Sequence, residues 1–126
     1  MRGFCHGMKT MKIGIASYEA FKARTMAIAR GEVVPGADEP KVWFPSTESF
    51  ARVLSRKNRA LLATIAETHP ESLQALAERT GRRVSNLSRT LRTMERYGFV
   101  SLTKGARGRL RPEVPYRAIS LELMLN

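Results

Sequence analysis

The sequence predicts a mainly α fold with a small β wing, and three observations predict it. Residues 73–100 read LQALAERTGRRVSNLSRTLRTMERYGFV, in which two helical patterns flank a glycine at the spacing of a tight helix–turn–helix. Val100-Ser101-Leu102-Thr103-Lys104 then alternates like a strand and runs into Gly105-Ala106-Arg107-Gly108-Arg109, a basic hairpin tip. Charge is concentrated in the same region. Of a net +11, Arg79 to Arg117 supplies +9, from eleven basic residues against Glu95 and Glu113. Together these predict a winged helix-turn-helix domain over residues 45–126, preceded by an N-terminal strand–helix segment over 11–44.

Taken in order, residues 1–10 carry two glycines, and Met1, Met8 and Met11 are three candidate starts, so the stretch is expected to be a disordered leader. Lys12 to Ala16 predicts a short strand. Tyr18 to Arg30 predicts a helix with Phe21, Thr25, Ile28 and Ala29 on one face, closed by Gly31. Pro35, Gly36 and Pro40 mark a loop before Val42-Trp43-Phe44, a short strand or apolar plug. Beyond Pro45, Ser46 or Thr47 is positioned to cap a helix with Phe50, Val53 and Leu54 inward. The next helix, roughly 57–67, buries Leu61, Leu62 and Ile65, and Ser72 follows Pro70 as the cap of another.

In the helix-turn-helix, Leu73 and Leu76 give the first helix its apolar edge, and Ala77 is small where two helices cross. Gly81 stands where the turn favours positive φ. Ser85 is expected to cap the second helix, with Val84, Leu87, Leu91 and Met94 in one inward arc. The opposite face then presents Ser85, Arg89, Arg92, Thr93 and Arg96, with Asn86 beside them. With Arg83 these are the candidate residues of a recognition helix entering a major groove. Pro112 and Pro115 bracket the chain's return, and Tyr116 to Leu125 alternates, with Ile119, Leu121, Leu123 and Leu125 on one face as the second strand of the wing. Lys104, Arg107, Arg109 and Arg111 are the wing's candidate contacts to a phosphate backbone or a minor groove.

A solvated surface mixes both signs of charge, so a one-signed segment predicts a polyanionic partner. Ten of the eleven basic residues are arginines, whose planar forks suit phosphates and guanine edges. A nucleic-acid partner could be DNA or RNA. RNA-reading modules offer aromatic platforms, whereas Tyr97, Phe99 and Tyr116 sit at the helix-to-hairpin junction and the exposed helix face has no aromatic, which favours double-stranded DNA.

The segments EPKVWFPSTESFARVLSRKN and NLSRTLRTMERYGFV resemble a prokaryotic family of small winged-helix regulators, distantly similar to the MarR group. The likeness spans roughly residues 11–125. It implies transcription regulation by a DNA-binding homodimeric repressor, with base contacts on Ser85, Asn86, Arg89 and their neighbours and phosphate contacts on the wing. Some relatives act as antitoxins, repressing an operon and neutralising a toxin protein, which implies a cognate toxin as a further partner. A role by protein binding alone would leave the local +9 without a use.

Enzymatic readings find no support. Cys5, His6 and His69 lack zinc spacing, and no phosphate-cradling glycine loop with a following lysine exists. Neither catalytic residues, metal ligands nor a cofactor are expected. A single cysteine suits a reducing compartment, and no apolar run is long enough to span a membrane, so a cytoplasmic chain is expected. The N-terminal segment is the expected dimer surface, through Ile13, Ile15, Phe21, Ile28, Trp43 and Phe44.

Overall fold

The computed structural model describes residues 9–36 and 39–125. Its elements are β1 (Lys9–Ile15), α1 (Tyr18–Ala29), β2 (Val42–Phe44), α2 (Thr47–Val53), α3 (Arg56–Thr68), α4 (Leu73–Thr80), α5 (Val84–Arg96), β3 (Ser101–Lys104), β4 (Leu110–Glu113) and β5 (Tyr116–Leu123). Five helices thus accompany two small sheets, β2-β1-β5 and β3-β4. No helix among the described residues is long and apolar enough to cross a membrane. The chain divides into two compact units, Val53–Arg117 and Lys9–Arg52 with the C-terminal stretch from Ala118.

The second of these units is a β–α–β crossover with a third strand added. β1 and β2 run parallel, with Ile13 beside Val42, Gly14 beside Trp43 and Ile15 beside Phe44. Met11, Ile13 and Ile15 alternate along one buried face of β1, and Ala16 just beyond its end is buried too. Ser17 caps α1 by accepting from the Ala20 N–H at 3.1 Å. α1 nevertheless buries none of its side chains, so the expected inward face of Phe21, Thr25, Ile28 and Ala29 is not a core face.

Gly14 is required by its neighbour. A Cβ there would collide with the Trp43 ring, which lies across the bare backbone of β1. Phe21 meets that ring at 5.7 Å and the Arg24 guanidinium sits 5.5 Å from its centroid, itself bonded to Glu39. On the neighbouring register positions, Phe44 packs edge-on to Phe50 of α2 at 5.5 Å.

β5 lies on the other side of β1. The Met124 N–H donates to the Ile15 carbonyl at 2.9 Å, as the Ala16 N–H does to Phe44. The two C-terminal strand ends are therefore adjacent, and β5 runs parallel to β1 with Leu123 beside Ile15. This differs from the sequence reading, in which 116–125 was the wing's return strand. The return is β4, whose Pro112 stands opposite Leu102 and is fully buried. A two-stranded hairpin tolerates that proline because one edge of β4 needs no ladder donor. Of the expected 1–10 leader, residues 1–8 lie outside the described residues, while Lys9 and Thr10 already belong to β1.

In the Val53–Arg117 unit, Ser55 caps α3 and Ser72 caps α4, each through its hydroxyl oxygen. α4 ends on Gly81 at φ +73°, its N–H donating to Ala77 at 2.8 Å. The core joins Leu61 and Ile65 of α3, Leu73 and Leu76 of α4, and Leu87, Leu91 and Met94 of α5 to Phe99 and Val100. α5 touches α4 and β3, and β4 touches α3 and α4, so helices and hairpin close one core.

Gly14→Ala is expected to destabilise the protein by about 1–3 kcal/mol, because the Trp43 ring must leave its packed position. Urea unfolding measures it, and pairing the change with Trp43→Leu should recover part of the loss.

Candidate functional site

α5 buries Leu87, Leu91 and Met94, spaced by four and three, and those burials fix its rotation. At about 100° per residue, the opposite face holds Ser85, Asn86, Arg89, Arg92, Thr93 and Arg96. All but Thr93 are exposed; Thr93 is half-buried and its hydroxyl donates to the Arg89 carbonyl at 3.2 Å. The face carries no carboxylate. Glu95, the only acid on α5, lies well round the flank. Among the described residues, no ion pair involves an α5 arginine; the pairs formed are Arg24–Glu39, Arg30–Glu32 and Arg111–Glu113.

That arrangement works against folding. Arg89 and Arg92 are three residues apart, and Arg92 and Arg96 four. Like-charged neighbours at these spacings each cost a helix roughly 0.2–0.5 kcal/mol.

The start of α5 departs from the sequence reading in the same direction. Ser85 does not cap the helix. The N-cap is Arg83, extended at φ −74° and ψ 146°, without any side-chain cap bond. Ser85 is the second helical residue, two past the cap, and cannot bond as an N-cap does. Arg83 also places a cation at the positive end of the helix dipole, the unfavourable end. Val84, the first helical residue, falls in the inward arc by spacing but is 43% exposed and adds nothing to the buried stripe.

The structure adds Arg82, which sequence reasoning left out of the site. Its Nε donates to Asn86 Oδ1 at 3.0 Å, and its backbone N–H donates to Thr80 Oγ1 at 3.3 Å. A guanidinium only donates, so the bond turns the Asn86 oxygen to Arg82 and leaves the amide NH2 outward. The four-residue spacing was visible in the sequence. Arg82 lies in the turn before α5, however, where helical spacing says nothing about direction.

The hairpin tip is a tight turn over 105–109. The Gly105 N–H donates to the Arg109 carbonyl at 2.6 Å, and Arg107 and Gly108 both take positive φ, +62° and +73°. An L-residue in that region costs about 1–2 kcal/mol where glycine would cost little. Lys104, Arg107 and Arg109 are exposed around this turn. Arg111 lies on β4 instead and pairs with Glu113 at 3.1 Å, so its charge is partly spent within the strand. Phe99 is buried and packs 6.1 Å from Tyr97, so neither ring is an open stacking platform.

A family model, HVO_A0114, matches residues 53–121, which is 69 of the 126 residues. The chain belongs to the HVO_A0114 family. No curated protein and no solved structure matches it. The matched HVO_A0114 region runs from the end of α2 into β5, so it contains α3–α5, the Gly81 turn, the hairpin and every candidate residue named above. Among the described residues of this family member, no group of three or more His, Cys, Asp or Glu is placed to hold a metal ion. Cys5 and His6 lie outside those residues.

Arg83→Ser supplies the missing cap acceptor and is expected to raise stability by about 0.5–2 kcal/mol. An unchanged urea midpoint would contradict the uncapped start.

Proposed function

We propose that the chain is a sequence-specific double-stranded-DNA-binding transcriptional regulator of the winged helix-turn-helix type, acting as a homodimeric repressor. The observation that carries the reading is α5. Its buried stripe turns three arginines, Asn86 and Ser85 outward with no acid among them, directly after the Gly81 turn and directly before a hairpin tipped with Arg107 and Arg109. A face that costs folding energy and carries only unpaired cations is suited to a polyanion.

In this reading α4 and α5 form the helix-turn-helix, α5 enters the major groove, and β3–β4 is the wing. Arg89, near the middle of the face, reads a guanine edge; Arg83, Lys104, Arg107 and Arg109 hold the phosphate backbone. Asn86 reads acceptors. Adenine recognition by asparagine uses amide oxygen and nitrogen together, and Arg82 already bonds that oxygen and holds it toward the turn. The repressor and dimer parts of the proposal come from the resemblance read in the sequence alone, with half-sites about 10 base pairs apart on a two-fold operator.

The test is a titration of duplex DNA and duplex RNA of equal length, followed by selection of bound DNA sequences. Selective DNA binding supports the reading, and equal affinity for both duplexes overturns it. Arg89→Ala is expected to cost about 1–3 kcal/mol and to relax preference at one base pair. Arg107→Ala or Arg109→Ala should weaken all sequences alike and reduce the salt slope by about one each. Arg82→Ala should shift preference at the Asn86 base toward adenine, a change that general loss of affinity would not produce.

A further inference from the structure

The exposed apolar surface is segregated from the charged surface. Of the ten large apolar side chains left exposed among the described residues, nine belong to Lys9–Arg52 and the C-terminal stretch, and only Val84 to the other unit. Charge divides the opposite way. Val53–Arg117 holds fourteen basic and five acidic residues, +9, whereas Lys9–Arg52 with Ala118–Asn126 holds seven and six, +1.

Of the expected dimer surface Phe21 is exposed, and Tyr18, Met26, Val33 and Val34 of the same segment are exposed with it. Ile13, Ile15 and Phe44 are 0–3% exposed and cover their own unit. The unsatisfied element is β5. Among the described residues it has β1 on one side only and is the longest strand, at eight residues, with no proline or glycine in it and Arg117 and Glu122 as its charges. The Met124 N–H points to β1. Alternation along the strand therefore turns the N–H and C=O groups of Ile119, Leu121 and Leu123 to the open edge. Leu121 and Leu123, at 48% and 55% exposure, continue the buried row of Ile13 and Ile15 past the last strand of the sheet.

We propose that β5 is the seam of a homodimer, pairing antiparallel with the β5 of a second copy. Two features select a second copy as the occupant. The near-neutral unit lets two copies meet there without the repulsion that two +9 units would impose. The edge is also self-complementary. Two strands related by a two-fold axis normal to the sheet run antiparallel and keep their faces, so Ile119 and Leu121 lie beside their own copies. In a register centred on Ser120, Ile119 stands opposite the partner's Leu121. The result is one six-stranded sheet, β2-β1-β5-β5-β1-β2, whose only free edges are three-residue strands. The inference gives the proposed regulator its dimer and stands or falls independently of DNA binding.

Sedimentation velocity at micromolar concentration tests it on the full chain, without DNA. The expected result is a dimer that Leu121→Lys converts to a monomer with an unchanged far-UV spectrum, while Met26→Lys, on exposed α1, leaves the dimer intact. Amide exchange of the unaltered protein provides a second readout, in which Ile119, Leu121 and Leu123 slow as concentration rises through the dimer range. A monomeric wild type, a dimer that survives Leu121→Lys, or exchange independent of concentration overturns the proposal. DNA titration of the same variants separates this failure from failure of the regulator reading.

Discussion

The burial of Leu87, Leu91 and Met94 is the constraint on which the rest of the arginine-rich unit depends. Each is at most 1% exposed, and together they lock the rotation of α5 about its own axis. A helix whose apolar stripe is so narrow has no freedom to roll without lifting a leucine from the core, at roughly 2–5 kcal/mol for a side chain lost. Everything outward follows from that lock. Ser85, Asn86, Arg89, Arg92 and Arg96 face solvent because three side chains on the other side cannot. The same core holds Phe99 and Val100, so the chain leaves α5 in a set direction into β3.

Against that core, the outward face is energetically unfavourable at several points, although Arg96 in the last turn suits the helix dipole. The arginines of α5 repel one another without acid partners, the N-cap is an arginine where serine would bond, and Arg107 takes a backbone conformation suited to glycine. None of these choices is imposed by packing, since all the side chains concerned are exposed. Residues that weaken the fold and contribute nothing to its core are best explained by what they meet outside it. This is the physical reason that the proposed function centres on α5 and the hairpin tip rather than on α1 or the Trp43 cluster.

The other unit follows a different logic, in which a missing atom matters most. Bare backbone at Gly14 admits the Trp43 ring, and the ring in turn holds Phe21 and Arg24 of α1, a helix with no buried residue of its own. α1 is thus tied to the sheet through one aromatic side chain and the Arg24–Glu39 pair. β5 completes the sheet and leaves an open apolar edge, which is where the two-fold seam is proposed.

Local pattern by itself determined much of this protein. Ser17, Gly31, Ser72 and Gly81 mark helix ends through their own hydroxyls or φ angles, and the spacing of Leu87, Leu91 and Met94 chose the inward face of α5. Those signals act over one or two turns of chain, so sequence carries them in full. Tertiary structure decided what depends on distant partners. The alternation of residues 116–123 suits any strand neighbour, and only the folded chain pairs it with β1, about a hundred residues earlier, instead of with β3. Trp43 against Gly14 and Arg82 on Asn86 are contacts of the same kind, because side-chain direction in turns and across strands is set by packing and not by spacing. Ser85 and Arg83 at the start of α5 show the finer limit. A serine near a helix start invites a cap, but a turn closed by Gly81 and Arg82 starts the helix two residues too early for it.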